Sequence, residues 1–384
     1  PRGGGRGTRS PGRRPRPVDS LAAVPYPRAV TPFFALVAVY ALVLVLHLVV
    51  PARHVRGYVR DADGQPLRYR LNGLRVLAIV VALYLLAGAT GLVAWDYLYI
   101  HRWQTFTAAC LIGLLFTGAI VLTAPPRGSL LSDLYLGRRD NPRLSDGLVD
   151  AKMFLYVVGA VMLELNLLSF AAHHVSTFPD DPSPGVLLHT AMFSFFLLEY
   201  LYFERVHLYT YDLFAERVGF KLGWGCLTFY PFFYAVGLWS VADSPNPHTP
   251  APLLLACAAL FVFGWILARG ANLQKYYFRT QPSRRAFGLF EPEALVDGHH
   301  RLLVSGFWGV SRHVNYLGEI VMATALALAL GYPGEPGPWL YPLYYLVLLI
   351  PRQIDDDRRC ARKYGPLWDQ YRRRVRYRII PGIY

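Results

Sequence analysis

Charged residues are scarce in this chain. Only 17% of its 384 residues are Asp, Glu, Lys or Arg, whereas a typical soluble domain has about 25%. Hydrophobic residues make up 54%, and they stand in long blocks instead of amphipathic stripes. A block of about 20 apolar residues is long enough to cross a bilayer as a helix. The sequence therefore excludes an ordinary soluble domain and predicts an all-α integral membrane protein.

Cysteine is scarce as well. The chain has only Cys110, Cys226, Cys257 and Cys360, which form no Cys-x-x-Cys pair, and three of them lie in apolar segments. This excludes a disulfide framework and a zinc site, so we expect no metal site. A glycine-rich GxGxxG turn after a strand and a P-loop are also missing, which excludes a Rossmann domain or a nucleotide hydrolase.

Negative charge is the third shortage, because 25 acidic residues face 39 basic ones and leave a net charge of +14. In a soluble protein this excess would indicate nucleic acid. In a membrane protein it indicates basic cytosolic loops beside anionic lipid, together with a phosphate site. We expect membrane lipid as a partner and no nucleic acid. Residues 1–28, rich in Gly, Pro and Arg, are expected to form a disordered arm.

The apolar blocks divide the chain into candidate membrane spans. Both the amino-terminal arm and the last 30 residues are strongly basic, which places both in the cytosol and requires an even number of spans. We therefore expect about ten transmembrane helices, with a tenth in 208–225 or near the carboxyl terminus. The basic loop 51–73 conflicts with a simple alternating topology. The nine visible spans are 31–50, 74–95, 105–123, 152–172, 186–203, 226–243, 251–269, 317–331 and 337–351.

A first cluster of polar residues follows the span 251–269 in the sequence ARGANLQKYYFR. If that helix continues, Asn272, Lys275 and Arg279 lie on one face. Lysine offers a point charge to a phosphate, and arginine offers a planar fork. The alternative is that these are ordinary cations at the cytosolic end of a helix.

A second cluster lies in GFWGVSRHVNYLGE. Trp308 and Tyr316 can stack on nicotinamide or adenine rings, Asn315 can bind a carboxamide or ribose, and Arg312 can reach a phosphate. An aromatic belt at the membrane interface would explain the tryptophan and the tyrosine. It would not explain Arg312, His313 and Asn315 within the same short stretch.

A third cluster lies in IDDDRRCARKYGPLWDQY. On a helix Asp356, Cys360 and Tyr364 share one face, Arg359 and Lys363 flank them, and a Gly-Pro pair ends the helix. The alternative is a solvated run of charge after the last span. Because polar groups beside a bilayer mark functional sites, the three clusters together indicate a site for a large, anionic ligand with aromatic rings, such as a phosphorylated dinucleotide.

The motifs GFWGVSRHVNYLGE, RRCARKYGPLWDQY and the terminal VRYRIIPGIY resemble the sterol reductase family. That family includes the sterol C14-, C7- and C24(28)-reductases and the sterol reductase domain of the lamin B receptor. The resemblance covers roughly residues 30–384 and is densest in 270–384. Upstream, YRLNGL (69–74) resembles the family's Tyr-x-x-Asn-Gly loop. GRRDNPR (137–143) resembles its Gly-x-Glu-x-Asn-Pro-Arg loop but has Arg139 in place of the Glu.

The resemblance implies an NADPH-dependent reduction of a sterol carbon–carbon double bond in a fold of about ten transmembrane helices. It implies a sterol pocket among the membrane helices of 30–270 and an NADPH-binding region, 271–384, that faces the cytosol. With Arg312 from the second cluster, the implied cofactor contacts are Lys275, Arg279, Leu303, Trp308, Asn315, Tyr316, Asp356, Cys360, Arg362, Lys363, Tyr364 and Tyr371.

The implied reaction also requires an acid, because hydride cannot add to an isolated olefin until a proton has made a carbocation. The acid must be protonated near neutral pH, as a tyrosine or a buried carboxylic acid would be. We rank Tyr200 and Asp356 first, ahead of Glu164, Glu199 and Glu204. The aromatic stretch 193–234 would line the sterol, although such residues also serve as ordinary packing.

Several alternatives stay open at this point. Among sterol positions, C14 is favoured over C7 and C24(28). A membrane methyltransferase of the isoprenylcysteine type shares the Arg-His-x-x-Tyr pattern and would bind S-adenosylmethionine instead of NADPH. A non-enzymatic sterol-binding protein or nuclear-membrane tether is the third alternative. The Arg- and Ala-rich composition indicates a GC-rich genome, which fits a bacterial inner membrane, with the endoplasmic reticulum as the other location.

Overall fold

The computed structural model describes residues 32–144 and 147–384, so the expected disordered arm, 1–28, lies outside the described residues. The described chain is mainly helical, as the sequence predicts. Its helices are α1 (Pro32–Val49), α2 (Gly73–Ala89), α3 (Tyr97–Ile100), α4 (Arg102–Leu122), α5 (Leu130–Leu136), α6 (Ala151–Thr177), α7 (Pro184–Tyr202), α8 (Glu204–His207), α9 (Tyr211–Phe214), α10 (Tyr230–Phe233), α11 (Val236–Val241), α12 (Ala251–Thr280), α13 (Phe307–Val310), α14 (Val314–Ala329), α15 (Pro336–Tyr364) and α16 (Pro366–Arg374).

Short strands form three antiparallel pairs outside the helical bundle. Each pair joins consecutive strands, and the longest begins with Arg53 opposite Leu71 and has a shift of register between Arg56 and Arg60. The strands are β1 (Arg53–Arg60), β2 (Pro66–Leu71), β3 (Arg143–Leu144), β4 (Val149–Asp150), β5 (Ala294–Val296) and β6 (Arg301–Leu303).

Five helices of the described chain are long and apolar enough to cross a membrane, namely α1, α4, α6, α7 and α12, and α2 and α14 are shorter apolar helices. Helix α6 is buried along most of its length and forms the centre of the bundle. A buried apolar helix surrounded by apolar helices with exposed leucines and valines fits an integral membrane protein.

The expected single helix over 226–243 is interrupted in the structure. A π-helical turn, Gly225–Phe229, precedes α10 and α11. Pro231 lacks a backbone N–H and cannot continue the hydrogen-bond ladder. The Pro231 carbonyl accepts a hydrogen bond from the side-chain amide nitrogen of Asn166 at 2.8 Å. The stretch 208–225 holds only α9 and the start of this segment, and α16 has nine residues; neither is long enough for a tenth span.

Helices α12 and α14 lie unusually close together because two glycines face each other. A Cβ added to Gly318 would lie 2.4 Å from the Ala268 nitrogen, and one added to Gly264 would lie 2.8 Å from the Gly318 carbonyl oxygen. Because glycine has no side chain, the two backbones approach each other as they do in small-residue contacts of membrane helices. The same contact brings Asn315 to within 3.4 Å of Asn272.

The three polar clusters meet at one face of the bundle. The backbone nitrogens of Arg312 and His313 donate to carbonyls of the carboxyl-terminal segment, at Tyr377 and Arg378. Helix α1 ends at this face too, since Arg70 of β2 donates to the His47 and Leu48 carbonyls. An 18-residue helix is about 27 Å long, so α1 begins at the opposite face.

Candidate functional site

Two adjoining cavities occupy the face where the polar clusters meet. The outer cleft has a volume of about 620 Å³, and the inner cavity, deeper among the helices, has a volume of about 430 Å³. Phe214, Lys275, Trp308 and Asp356 line both cavities, and we call these four residues the shared wall. Ligands in the outer cleft and in the inner cavity could therefore both contact these four side chains.

Most of the residues implied as cofactor contacts lie around the outer cleft. Asn315 and Tyr316 line the inner cavity instead, in the first turn of α14. Arg312 lines the cleft, but its Nη1 donates to the Val375 and Arg376 carbonyls at 2.9 and 3.0 Å. The implied cofactor contacts that line the outer cleft are Lys275, Arg279, Leu303, Trp308, Arg312, Asp356, Cys360, Arg362, Lys363, Tyr364 and Tyr371.

Local geometry explains how three separate segments reach one cleft. Helix α12 runs on to Thr280, so Lys275 and Arg279 lie one turn apart beyond the apolar part of the helix. Gly365 adopts a φ of 51°, which glycine tolerates, and it turns the chain from α15 into α16. This turn brings the Tyr371 hydroxyl to 3.4 Å from the Trp308 carbonyl. The Trp308 indole is fixed by its bond to the Ala271 carbonyl at 2.8 Å.

The outer cleft is strongly cationic. Seven Lys or Arg side chains line it, against Asp355 and Asp356. Within the described chain neither Lys275 nor Arg279 forms an ion pair. The Lys275 ammonium lies 4.6 Å from the centre of the Trp308 ring, and the Arg279 guanidinium lies 4.7 Å from that of Tyr58. Cations that pack on aromatic faces keep their charge available for an anion.

The protonation of nearby groups follows from this charge and from burial. Burial, reinforced by the cations Lys275 and Arg312, lowers the pKa of His313 to about 3, so the imidazole is neutral at physiological pH. Burial, reinforced by Asp356, raises the pKa of the Cys360 thiol to about 12. A thiol this hard to ionise is a poor nucleophile, which argues for a packing role of Cys360 in the cleft wall.

The acid candidates from the sequence separate into two groups. Tyr200, Glu199 and Asp356 line the inner cavity. Glu164 lines neither cavity; it is buried and accepts a hydrogen bond from Ser194 at 2.8 Å. Glu204 also lies outside both and accepts bonds from the Gly73 nitrogen at 3.2 Å.

The first group is itself divided by hydrogen bonding. Both Glu199 oxygens accept bonds from Arg269, at 2.6 and 2.8 Å. In this bidentate pair the guanidinium occupies both carboxylate oxygens. The Tyr200 ring stacks on His207 with ring centres 3.8 Å apart, and among the described residues no guanidinium is paired with its hydroxyl.

Sequence reasoning missed several polar residues of the inner cavity. Glu319, Arg269, Asp212 and Arg352 line it, and Asp212 pairs with Arg352 across two elements distant in sequence. A signal for Glu319 was available, because it lies four residues after Asn315 in the second cluster and so shares its helical face. No periodic pattern marks Asp212, which lies in the irregular stretch before the π-helical turn.

The two upstream loops with family resemblance lie outside both cavities. Asn72 donates from its amide to the His47 and Val50 carbonyls, both at 3.0 Å, and so satisfies carbonyls at the end of α1. Arg139, which stands where the family has a Glu, donates to the Thr123 carbonyl just after α4. Both loops therefore terminate membrane helices.

Comparison with known proteins identifies the family of this chain. The sequence profile described as the ergosterol biosynthesis ERG4/ERG24 family matches residues 19–384. The chain belongs to this family. The resemblance to sterol reductases drawn from the three motifs is thereby confirmed.

Named relatives within the family cover most of the chain. A delta(14)-sterol reductase of Arabidopsis thaliana is 31% identical over 91% of this chain and 95% of its own length. The delta(14)-sterol reductase TM7SF2 of Mus musculus is 34% identical over 87% of this chain and 81% of its own. A probable 7-dehydrocholesterol reductase of Acanthamoeba polyphaga mimivirus is 29% identical, over 85% and 75% respectively.

Proposed function

We propose that this protein reduces a carbon–carbon double bond of a sterol, first of all the C14–C15 bond, with NADPH as reductant. The observation that carries the proposal is the shared wall: a cationic cleft fit for a phosphorylated cofactor adjoins an aromatic cavity fit for a rigid apolar substrate. The names of the Arabidopsis and mouse relatives support the sterol and the position of the bond.

The outer cleft fits NADPH by its donors and its faces. Lys275 and Arg279 would bind phosphate groups as a point charge and a planar fork, with Arg362 and Lys363 nearby. Trp308 and the other ring side chains of the cleft offer flat surfaces for the base and the nicotinamide. When bound, the cofactor supplies a hydride equivalent.

The inner cavity fits the sterol. Its volume of about 430 Å³ is within the range of about 300–1,000 Å³ of small-molecule sites. Tyrosine and phenylalanine from α7, α10 and α15 line it, and they exclude water from a reacting carbocation. The aromatic stretch 193–234 thus supplies part of the lining, while α14 and α15 supply the rest.

The protein must also deliver a proton on the side of the double bond away from the hydride. Tyr200 and Asp356 are the sequence candidates that line the inner cavity without a guanidinium partner in the part of the chain that the structure describes. Tyr200 lies deep in the aromatic part, whereas Asp356 belongs to the shared wall and suits a relay beside the cofactor. Glu164 and Glu199 are less suitable, since one lies outside the cavities and the other holds Arg269.

The finer architectural predictions belong to this proposal as well. We propose about ten membrane crossings, a sterol-binding region over 30–270, a cofactor-binding region over 271–384, and an outer cleft open to the cytosol. The basic carboxyl-terminal segment, which docks at the cleft face through Arg312 and His313, supports this orientation by the excess of positive charge on cytosolic loops.

Reduction of the C7 bond is the second candidate, because the mimivirus relative is named as a probable 7-dehydrocholesterol reductase at an identity close to that of the others. Membership of the ERG4/ERG24 family favours reduction over methyl transfer. A non-enzymatic sterol-binding role would leave the cationic cleft without a use.

Purified protein in detergent tests the proposal with NADPH or NADH and with three sterols, unsaturated at C14, C7 and C24(28). Mass spectrometry of the products should show reduction of the C14 sterol and a clear preference for NADPH. Conversion of the C7 sterol alone would move the second candidate ahead. Failure to reduce any of the three, together with no NADPH binding by calorimetry, would overturn the reductase proposal.

A further inference from the structure

Glu319 lies on the wall of the inner cavity. Asn315, Glu319 and Met322 all line this cavity, and their spacing of four and three residues places them on one stripe of α14. One helical turn, about 5.4 Å, therefore separates Glu319 from Asn315, which in turn contacts Asn272 beside the shared wall. The carboxyl group is thus deeper in the cavity than the position proposed for the cofactor.

Three of the other four acidic residues of the inner cavity form ion pairs, and the fourth is Asp356. Asp356 belongs to the cationic outer cleft as well. Glu319 takes part in no ion pair within the described chain, and its carboxyl lies next to the Tyr345 hydroxyl. The ion-paired acids are Glu199 with Arg269, Asp212 with Arg352, and Glu216 with Lys221 and Arg352.

An unpaired carboxylate among apolar membrane helices is costly, because neither water nor a counter-ion stabilises its charge. The neutral carboxylic acid avoids that cost. It also carries the proton that an olefin requires before a hydride can add, and general acids of this kind accelerate reactions by roughly 10²–10⁴-fold. Glu319 therefore lies in the inner cavity with no ion-pair partner in the described chain, whereas Glu199 is paired with Arg269.

We propose that Glu319, in place of the sequence candidates Tyr200 and Asp356, is the proton donor to the double bond, a role that rests on the sterol reductase function proposed above. The Glu319 O–H bond breaks, and its proton forms a C–H bond with the π electron pair of the olefin. The resulting tertiary carbocation accepts a hydride from the reduced nicotinamide cofactor, which is oxidised. A proton from solvent then restores the Glu319 carboxylic acid, and the Tyr345 hydroxyl lies beside it.

Several charged and titratable groups face Glu319 from the elements packed around α14, and each contributes to its protonation. Two of them, Arg269 and Glu199, pair with each other, so their opposite charges partly cancel at Glu319. The groups are Arg269 of α12, Glu199 of α7, Asp212 of α9, Tyr230 of α10, Tyr234 after α10 and Tyr345 of α15.

Kinetics of two substitutions test the role. In Glu319→Gln, kcat should fall at least 100-fold, while KM for NADPH and for the sterol stays within threefold. Glu319→Asp should retain measurable turnover, because the acid remains. Glu335→Gln is the control. This exposed glutamate caps the amino-terminal end of α15, whereas the cleft residues of α15 lie near its carboxyl-terminal end, so its loss should leave kcat unchanged.

An infrared measurement without cofactor or sterol tests the protonation itself. The difference spectrum of wild type minus Glu319→Gln near pH 7 should contain a carboxylic acid C=O band that shifts in D₂O. A carboxylate band in its place, or a kcat of Glu319→Gln within twofold of wild type, would overturn the proposal.

The two readouts also separate this inference from the function it rests on. If the wild type reduces no sterol, the reductase proposal fails while the infrared band still reports on Glu319. If Glu319→Gln does not fold, the pH profile of Glu319→Asp decides: an unchanged profile contradicts proton donation by this residue.

Discussion

Lys275 stands where the two cavities meet, and its ammonium faces the Trp308 ring instead of a carboxylate. Its position on one face with Arg279 could be predicted from the sequence, because helical spacing alone places them together. The partners of Glu199 and Asp212 could not, since Arg269 and Arg352 reach them only through tertiary packing. Residue type and spacing indicate a site, whereas the pairing of buried charges depends on the assembled fold.

Replacement of Lys275 by alanine should weaken NADPH binding. A hydrogen bond to a charged group contributes about 1.5–3 kcal/mol, so the Kd should rise roughly 10- to 100-fold. Calorimetry measures this, with Arg285→Ala as the control because Arg285 is exposed, pairs with Glu291 and lies outside the cleft. Equal affinities of the Lys275→Ala variant and wild type would remove Lys275 from the phosphate site.

Glu204 should make stability depend on pH. Burial raises the pKa of its carboxyl from the usual 4.5 to about 8, so the folded state favours the protonated acid. The corresponding stability is fully present below the unfolded pKa and is lost as pH rises through about 8. Thermal unfolding between pH 5 and 9 should therefore show a falling Tm that is flatter in Glu204→Gln. Parallel curves for both proteins would contradict this pKa.

At the scale of elements, helix existence could be predicted better than helix continuity. The apolar runs indicate α1, α6, α7 and α12 correctly, and the extension of α12 to Thr280 follows the expected polar face. The run 226–243 is equally apolar, yet it contains a π-helical turn and a break before α11. Hydrophobicity is the same for a continuous and an interrupted helix, so composition does not distinguish them.

The close contact of α12 and α14 should depend on Gly318. A methyl group there would lie 2.4 Å from the Ala268 nitrogen and 2.5 Å from the Gly264 carbonyl oxygen, and such overpacking costs about 1–3 kcal/mol. We expect Gly318→Ala to lower Tm and to weaken NADPH binding, because Asn315 and Lys275 would separate.

The matched control for this contact is Gly118→Ala, at a helical position with open space around the added methyl. Alanine is favoured over glycine in a helix by about 1 kcal/mol, so this variant should be as stable as wild type or more so. An unchanged Tm and NADPH affinity in Gly318→Ala would show that the two helices tolerate separation.

At the scale of the whole molecule, the described chain begins and ends at opposite faces. Helix α1 runs toward the cleft face, and the carboxyl-terminal segment docks there. The sequence prediction that both basic ends lie in the cytosol concerns an amino-terminal arm that lies outside the described residues. An excess of positive charge assigns only the basic segments themselves to the cytosolic side of the membrane. The count of ten membrane spans therefore stays a prediction.

Labelling with a membrane-impermeant maleimide tests the proposed orientation in vesicles. A cysteine in place of Leu289, which is highly exposed at the cleft face, should react only from the cytosolic side. A cysteine in place of Asp180, in the exposed loop between α6 and α7, should react only from the other side. The reverse pattern would place the outer cleft away from the cytosol.

The most direct test of the central claim is the origin of the two hydrogens added to the sterol. With NADPH in D₂O, mass spectrometry should find one deuterium in the reduced C14 sterol, and cofactor deuterated at its hydride position in ordinary water should also deliver one. This result is predicted by proton delivery from the inner cavity and hydride delivery across the shared wall. A reduced sterol with no label from the cofactor, or with both hydrogens from water, would contradict the account.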